Sequence, residues 1–244
     1  YKSANMIIVL TQCFPSRIGG IESLLSNLAI GLGKKEKVIV FADRHHLFYD
    51  AIYDNQYKDQ IIVRRTSGIK FFRRRKKIKE LKPFIESKKV KLVIADTWKS
   101  LELCVNYLNE KKIPTLCLVH GNELLAKDHK RSQRVIQTLD KVSTIVANSQ
   151  FTVNLVKNLI PNKGNIKYVY PGASDLNKVK SDSFIEIKGS PVLITLARLE
   201  KRKGHKAILK AVKELTSEFP KIQYIITGEG PEKSHLQQLV KKNS

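Results

Sequence analysis

MIIVLTQCFPSRIGGIESLLSNLAIGL, residues 6–32, carries two periodicities back to back. Met6 to Leu10 is apolar at every position, as in a strand buried on both faces. From Ile21 the apolar residues Ile21, Leu24, Leu25, Leu28 and Leu32 fall at helical spacing, which predicts a helix over Gly20–Gly33. Gly19 and Gly20 stand at the hand-over from strand to helix. Ligands of open α/β sheets sit outside the carboxyl ends of the strands. There a glycine lets backbone approach a ligand, and the following helix offers free N–H groups to an anion. The pair therefore reads as a phosphate cradle or as a tight turn alone. The dinucleotide pattern G-x-G-x-x-G is absent.

The strand-then-helix unit recurs along the chain. Strands are predicted at Lys37–Ala42, Gln60–Arg65, Lys91–Ala95, Thr115–Val119, Thr144–Ala147 and Lys167–Tyr170. Helices are predicted at Lys70–Ser87, Lys99–Lys111, His129–Asp140 and Gln150–Leu159. This alternation implies an α/β fold, a doubly wound Rossmann-like domain over residues 1–175. Residues 176–190 are polar, lack apolar periodicity and read as a linker. The pattern restarts in 191–244 with strand Pro191–Leu196, helix Gly204–Phe219, strand Ile222–Thr227 and helix Pro231–Lys242. A complete Rossmann-type domain needs about five or six strands. The second domain is therefore expected to be truncated.

The 244 residues are 42% hydrophobic, enough for a sizeable core. No apolar run approaches the roughly eighteen residues that span a bilayer. Cys13, Cys104 and Cys117 are odd in number and lack C-x-x-C spacing. They read as small core residues in a reducing compartment. Forty-five basic residues face 22 acidic ones, a net charge of +23. Such a surface seeks polyanions, an anionic membrane or phosphorylated ligands.

Other predicted strand ends also carry Gly, His, Arg or short polar residues. In order, the chain shows GGIE (Gly19–Glu22), VHGNE (Val119–Glu123), VANSQFT (Val146–Thr152), YPGASD (Tyr170–Asp175), ARLEKRKG (Ala197–Gly204) and TGEGP (Thr227–Pro231). Jointly they resemble the GT-B glycosyltransferases of the large retaining family (family 4-like). That family contains glycogen and sucrose synthases and bacterial polysaccharide and lipopolysaccharide transferases. The resemblance implies two Rossmann-like domains and transfer of a sugar from a nucleotide diphosphate-sugar to an acceptor hydroxyl, with retention. The acceptor would be a surface polysaccharide or a lipid-linked saccharide. It also assigns roles. Gly19 and Gly20 would approach the donor, His120 would contact the donor sugar, and Arg198 and Lys203 would bind the diphosphate. Gly228, Glu229 and Gly230 would border the nucleotide pocket. A leaving diphosphate gathers negative charge that fixed cations stabilise. No D-x-D occurs in the chain, so no metal and no cofactor is expected. The family's E-x7-E segment is not found after Pro231, so these residues alone are expected to be inactive.

KFFRRRKKIKELK, Lys70 to Lys82, holds eight basic residues and one acid. Phe71, Ile78, Leu81 and Ile85 share one helical stripe. Family members that act on lipid-linked acceptors carry a similar element that docks on the membrane. Phe71, Phe72, Arg73, Arg74, Arg75, Lys76 and Lys77 are thus candidates for membrane or acceptor contact. The implied location is cytoplasmic, peripheral on the inner face of the cell membrane, with no nucleic-acid partner. The stripe could equally pack on the sheet. Three other functions stay open. One is a silent partner subunit of a transferase. Another is a sugar-nucleotide epimerase, although no carboxylate stands out at a strand end. The last is a basic nucleic-acid-binding protein, although no helix-turn-helix, zinc spacing or RNP-like aromatic pattern occurs.

Overall fold

The computed structural model describes residues 5–125, 128–173 and 187–243, apart from the side chains of residues 70, 71 and 243. Ser174, Asp175 and the predicted linker up to residue 186 lie outside the described residues. Contacts divide the chain into two compact units, Tyr1–Ala173 and Ser174–Ser244.

Among its described residues the first unit holds seven strands: β1 (Met6–Leu10), β2 (Lys37–Asp43), β3 (Ile62–Thr66), β4 (Val90–Ala95), β5 (Thr115–Val119), β6 (Thr144–Ala147) and β7 (Ile166–Tyr168). They pair in the order β3-β2-β1-β4-β5-β6-β7, parallel throughout. This is the expected doubly wound sheet, with β1 inside it between β2 and β4 and the strand order reversing between β1 and β4. Alternate residues of β1 feed two cores. Met6, Ile8 and Leu10 pack in one with Phe41, Trp98 and Leu139, while Ile7 and Val9 pack in the other with Leu25 and Ala29. All five β1 residues are buried, as their unbroken apolar run requires.

The helices are α1 (Gly20–Gly33), α2 (Leu47–Gln56), α3 (Lys70–Glu86), α4 (Trp98–Leu101), α5 (Val105–Glu110), α6 (His129–Asp140) and α7 (Gln150–Leu159). Two differ from expectation. The helix predicted at Lys99–Lys111 is two, α4 and α5. Between them Cys104 takes φ −133° and ψ −8°, outside the helical region, so the chain turns before α5 begins. The second is α2, absent from the sequence reading. Its pattern is inverted, for Asp50 is buried while Leu47, Phe48, Tyr49 and Ile52 are exposed. Cys104 and Cys117 are buried core residues; Cys13 is half-buried, and burial pushes its thiol up to about 11.

The second unit pairs β8 (Val192–Leu196) with β9 (Gln223–Thr227), again in parallel. Helices α8 (His205–Leu215) and α9 (Lys233–Asn243) accompany them, with a 3₁₀ turn at Lys201–Lys203 before α8. Among its described residues only Leu199, His205 and Leu236 are buried.

Candidate functional site

In the first unit Gly19 and Gly20 lie on the carboxyl side of β1, and His120 follows β5 directly. Gly19 caps α1 in an extended conformation with φ 170°, which any residue adopts, so its need for glycine is spatial. A Cβ there would collide with the Glu22 carboxylate, whereas one on Gly20 would meet nothing within 4 Å. Glu22 is buried and pairs with Arg17 at 3.0 Å. An acid therefore already stands at the positive end of α1, with its own counter-ion.

The turn before these glycines is fastened from below. Asp50 of α2 accepts from the Ser16 hydroxyl (2.7 Å), the Ser16 N–H (3.2 Å), the His45 N–H (2.8 Å) and the His46 N–H (3.2 Å). Arg65 of β3 lies 3.5 Å from Asp50, and both side chains are 3% exposed. The Arg65 guanidinium also donates to Asp54 at 3.0 and 2.7 Å, donates to the Pro15 carbonyl and stands over the Phe14 ring. Burial alone would raise the Asp50 carboxyl. The Ser16 hydroxyl, the His45 N–H, the Arg65 charge and the Ser16 N–H outweigh it and hold the group below its usual range.

Thr11 and Asp96 meet where the strand order reverses. Asp96, directly after β4, accepts from the Thr11 hydroxyl (2.8 Å), the Gln12 N–H (3.1 Å) and the Ser100 hydroxyl (2.6 Å). Its carboxyl is raised by burial, only partly offset by those bonds. His120, directly after β5, sets Nε2 2.9 Å from the Asp96 carbonyl. A carbonyl only accepts, so this bond assigns the proton to Nε2 and leaves Nδ1 as the acceptor of the neutral ring. The His120 N–H donates to Glu123, and its carbonyl accepts from Asn148 at 3.4 Å. The sequence reading named His120 and did not name Asp96, although an acid directly after VKLVIA occupies an equivalent place.

The basic helix divides between its faces. Leu81 and Ile85 are buried and Ile78 is packed against the same core, so these three residues of the stripe face the sheet. Lys77 is buried and donates to Asp43 (2.6 Å) and to the Thr11 carbonyl (2.5 Å). Arg73 stands 3.6 Å from Asp43, and Arg74 donates to Glu102 (2.5 Å) and the Lys99 carbonyl (2.6 Å). Arg73, Arg74 and Lys77, named as candidates for membrane or acceptor contact, thus pair with acids and carbonyls of the unit itself. Phe72, Arg75, Lys76, Lys79 and Lys82 are exposed. The side chain of Phe71 lies outside the described residues. Among the described residues no helix is long and apolar enough to cross a membrane.

In the second unit, Arg198 and Lys203 follow β8 and are exposed. Arg198 pairs with Glu200 at 3.3 Å, and Glu200 also takes Arg202 at 2.6 Å. His205, buried at the start of α8, sets Nε2 3.2 Å from the Arg198 carbonyl. The loop after β9 lies directly on the loop after β8. Ala197 N–H donates to Thr227 O (3.1 Å), Leu199 N–H to Glu229 O (3.0 Å) and Glu232 N–H to Leu199 O (3.0 Å). A Cβ on Gly228 would strike the Ala197 carbonyl, and one on Gly230 would strike the Leu199 backbone. These glycines exist so that two loops can touch. The Glu229 side chain is exposed and pairs with Lys233 at 2.7 Å. Among the described residues no group of three or more His, Cys, Asp or Glu could hold a metal ion.

The model of Glycosyltransferase Family 4 matches residues 18–175, and that of Glycosyl transferases group 1 matches residues 178–244. The chain belongs to glycosyltransferase family 4. A curated relative of this family 4 chain is the GDP-mannose-dependent monoacylated alpha-(1-6)-phosphatidylinositol monomannoside mannosyltransferase of Corynebacterium glutamicum. The two are 23% identical over 251 residues, which cover 98% of this chain and 65% of the relative. The chain thus spans less than two thirds of that relative's length. Among solved structures, Anabaena Alr3699/HepE in complex with UDP superposes with a TM-score of 0.68 at 17% identity, covering 98% of this chain and 65% of that one. A glycosyltransferase from Rickettsia africae ESF-5 does so with a TM-score of 0.69 at 16% identity, covering 100% and 65%. These likenesses show the fold, GT-B, as the sequence led one to expect.

Proposed function

We propose that the protein to which this family 4 chain belongs is a retaining, metal-independent glycosyltransferase. It moves a sugar from a nucleotide diphosphate donor to an acceptor hydroxyl of a surface polysaccharide or a lipid-linked saccharide. The observation that carries the reading is the double loop of the second unit. Backbone hydrogen bonds and two glycines without room for a side chain hold the TGEGP turn against ARLE, with Arg198 and Lys203 exposed beside it. A diphosphate leaving the anomeric carbon gathers negative charge, and cations fixed on a rigid turn stabilise it without reorganising. The donor complexes of Anabaena Alr3699/HepE with UDP and UDP-glucose, and the GDP-mannose dependence of the Corynebacterium enzyme, support a nucleotide-sugar donor here. The lipid acceptor in the latter's name supports a lipid-linked saccharide. The exposed Arg75, Lys76, Lys79 and Lys82 of α3 support peripheral docking on an anionic leaflet, where each basic residue contributes about 1 kcal/mol.

The test is a thermal-shift panel of UDP-, GDP- and ADP-sugars on the full-length protein, followed by turnover with the donor that binds. Arg198→Ala or Lys203→Ala should lower kcat about a hundredfold or more. Near wild-type turnover in both variants removes the clamp, and loss of activity in EDTA removes the metal-free mechanism.

A further inference from the structure

We infer that Asp50 and Arg65 are positioning residues that hold the Phe14–Gly20 turn in the shape a ligand meets. The inference rests on the proposed function only in taking that turn to face the donor.

The observations converge on one short segment. Asp50 accepts four hydrogen bonds, two from Ser16 and two from the His45–His46 backbone. Arg65 reaches the Pro15 carbonyl and covers the Phe14 ring while Asp54 grips it from the far side. Phe14 packs edge-on against Tyr53, whose hydroxyl meets Ser26 of α1. Each residue from Phe14 to Ser16 is thus tied to α2 or β3, in addition to the Arg17 N–H bond to the Phe14 carbonyl within the turn (3.3 Å). A buried ion pair is weak evidence for stability, because desolvation consumes most of its Coulomb gain. Here the pair satisfies backbone groups of a turn that has no ladder of its own. Its value lies in fixing that turn, and a turn that must meet a ligand gains most from arriving pre-shaped.

Substitutions can separate charge from geometry. In Asp50→Asn the amide must turn its NH₂ toward either the Ser16 donors or the His45 and His46 N–H groups. Toward Ser16 it can donate to the hydroxyl oxygen but loses the Ser16 N–H; toward His45 and His46 it loses both, so at least one bond is lost with almost no change in volume. Arg65→Lys keeps a cation between Asp50 and Asp54 but cannot also reach Pro15. Hydrogen–deuterium exchange on the full-length protein should show the amides of Phe14, residues 16–20, His45 and His46 opening about tenfold faster in both variants, with β1 and β4 unchanged. With the donor found by the panel, KM for the donor should rise about tenfold while KM for the acceptor stays put. Faster exchange throughout the first unit would make the pair an ordinary stabilising one and overturn the inference. So would a selectively opened turn with unchanged donor KM, or a turn that does not open. If the wild-type protein turns over no nucleotide-sugar, the proposed function falls while the exchange experiment still decides whether these residues hold the turn.

Discussion

Asp96 is an acid kept at a cost. Its carboxyl is buried between Thr11, Gln12 and Ser100, and burial raises it above its usual range. The folded protein therefore binds a proton that the unfolded chain has already released. Stability falls as pH rises from the unfolded value through the raised folded one. Asp96→Asn keeps acceptors for Thr11 and Gln12 and removes the buried charge. It should be at least as stable as wild type at pH 7, with the advantage vanishing near pH 4, as thermal melts across that range would show. Asp50 has the opposite sign. Its carboxyl is depressed, so its contribution is present above the unfolded value and lost as pH falls through the folded one. His120 hangs from the Asp96 carbonyl by Nε2. His120→Ala should depress turnover far more than the melting temperature. A variant that melts early, but whose folded fraction turns over normally, would reduce the residue to packing.

Helix α3 combines a structural and a peripheral part on one element. Leu81 is 0% exposed, so Leu81→Ala should cost about 2–5 kcal/mol in a denaturant titration. Lys77→Ala leaves Asp43 with Arg73 alone at 3.6 Å and should lower the melting temperature by several degrees, while exposed Lys76→Ala should not. Changing Arg75, Lys76, Lys79 and Lys82 to Gln should leave the fold intact and abolish co-sedimentation with anionic vesicles. Equal binding to neutral vesicles would remove the electrostatic account. The sequence was readable where pattern and packing agree. β1, α1, β5, β6, α6 and α7 fall on the residues their periodicity predicts, because each buries one stripe or both faces. It was unreadable at α2, where the inward residue is an aspartate and the outward ones are Leu47, Phe48, Tyr49 and Ile52. Periodicity assumes water outside and oil inside, and a helix anchored by an ion pair violates that premise. The same blindness hid Asp50 and Lys77, whose roles depend on partners 34 residues away in each case. Motifs named Gly228 and Gly230 but not their reason, the bare backbone of Ala197 and Leu199 beneath them.

Across the molecule the two units differ in how much they hide. The first has two continuous cores, while in the second Ile194 is 61% and Leu196 82% exposed. Limited proteolysis should therefore clear the second unit first and leave a resistant fragment of the first; equal cutting in both would contradict this. The interior place of β1, between β2 and β4, has a consequence for synthesis. Of the strands of this sheet β1 is made before β2, which it takes on one side early, but its other neighbour, β4, begins only at Val90. At ribosomal speeds of roughly 5–20 residues per second, MIIVL waits several seconds, one edge bare, before its partner leaves the tunnel. During that interval the nascent chain displays an unpaired apolar ribbon, the kind of segment that chaperones bind and that neighbouring nascent chains can capture. Slow codons placed before Val90 would lengthen that exposure, and the yield of folded protein should depend more on translation rate there than anywhere downstream of β4.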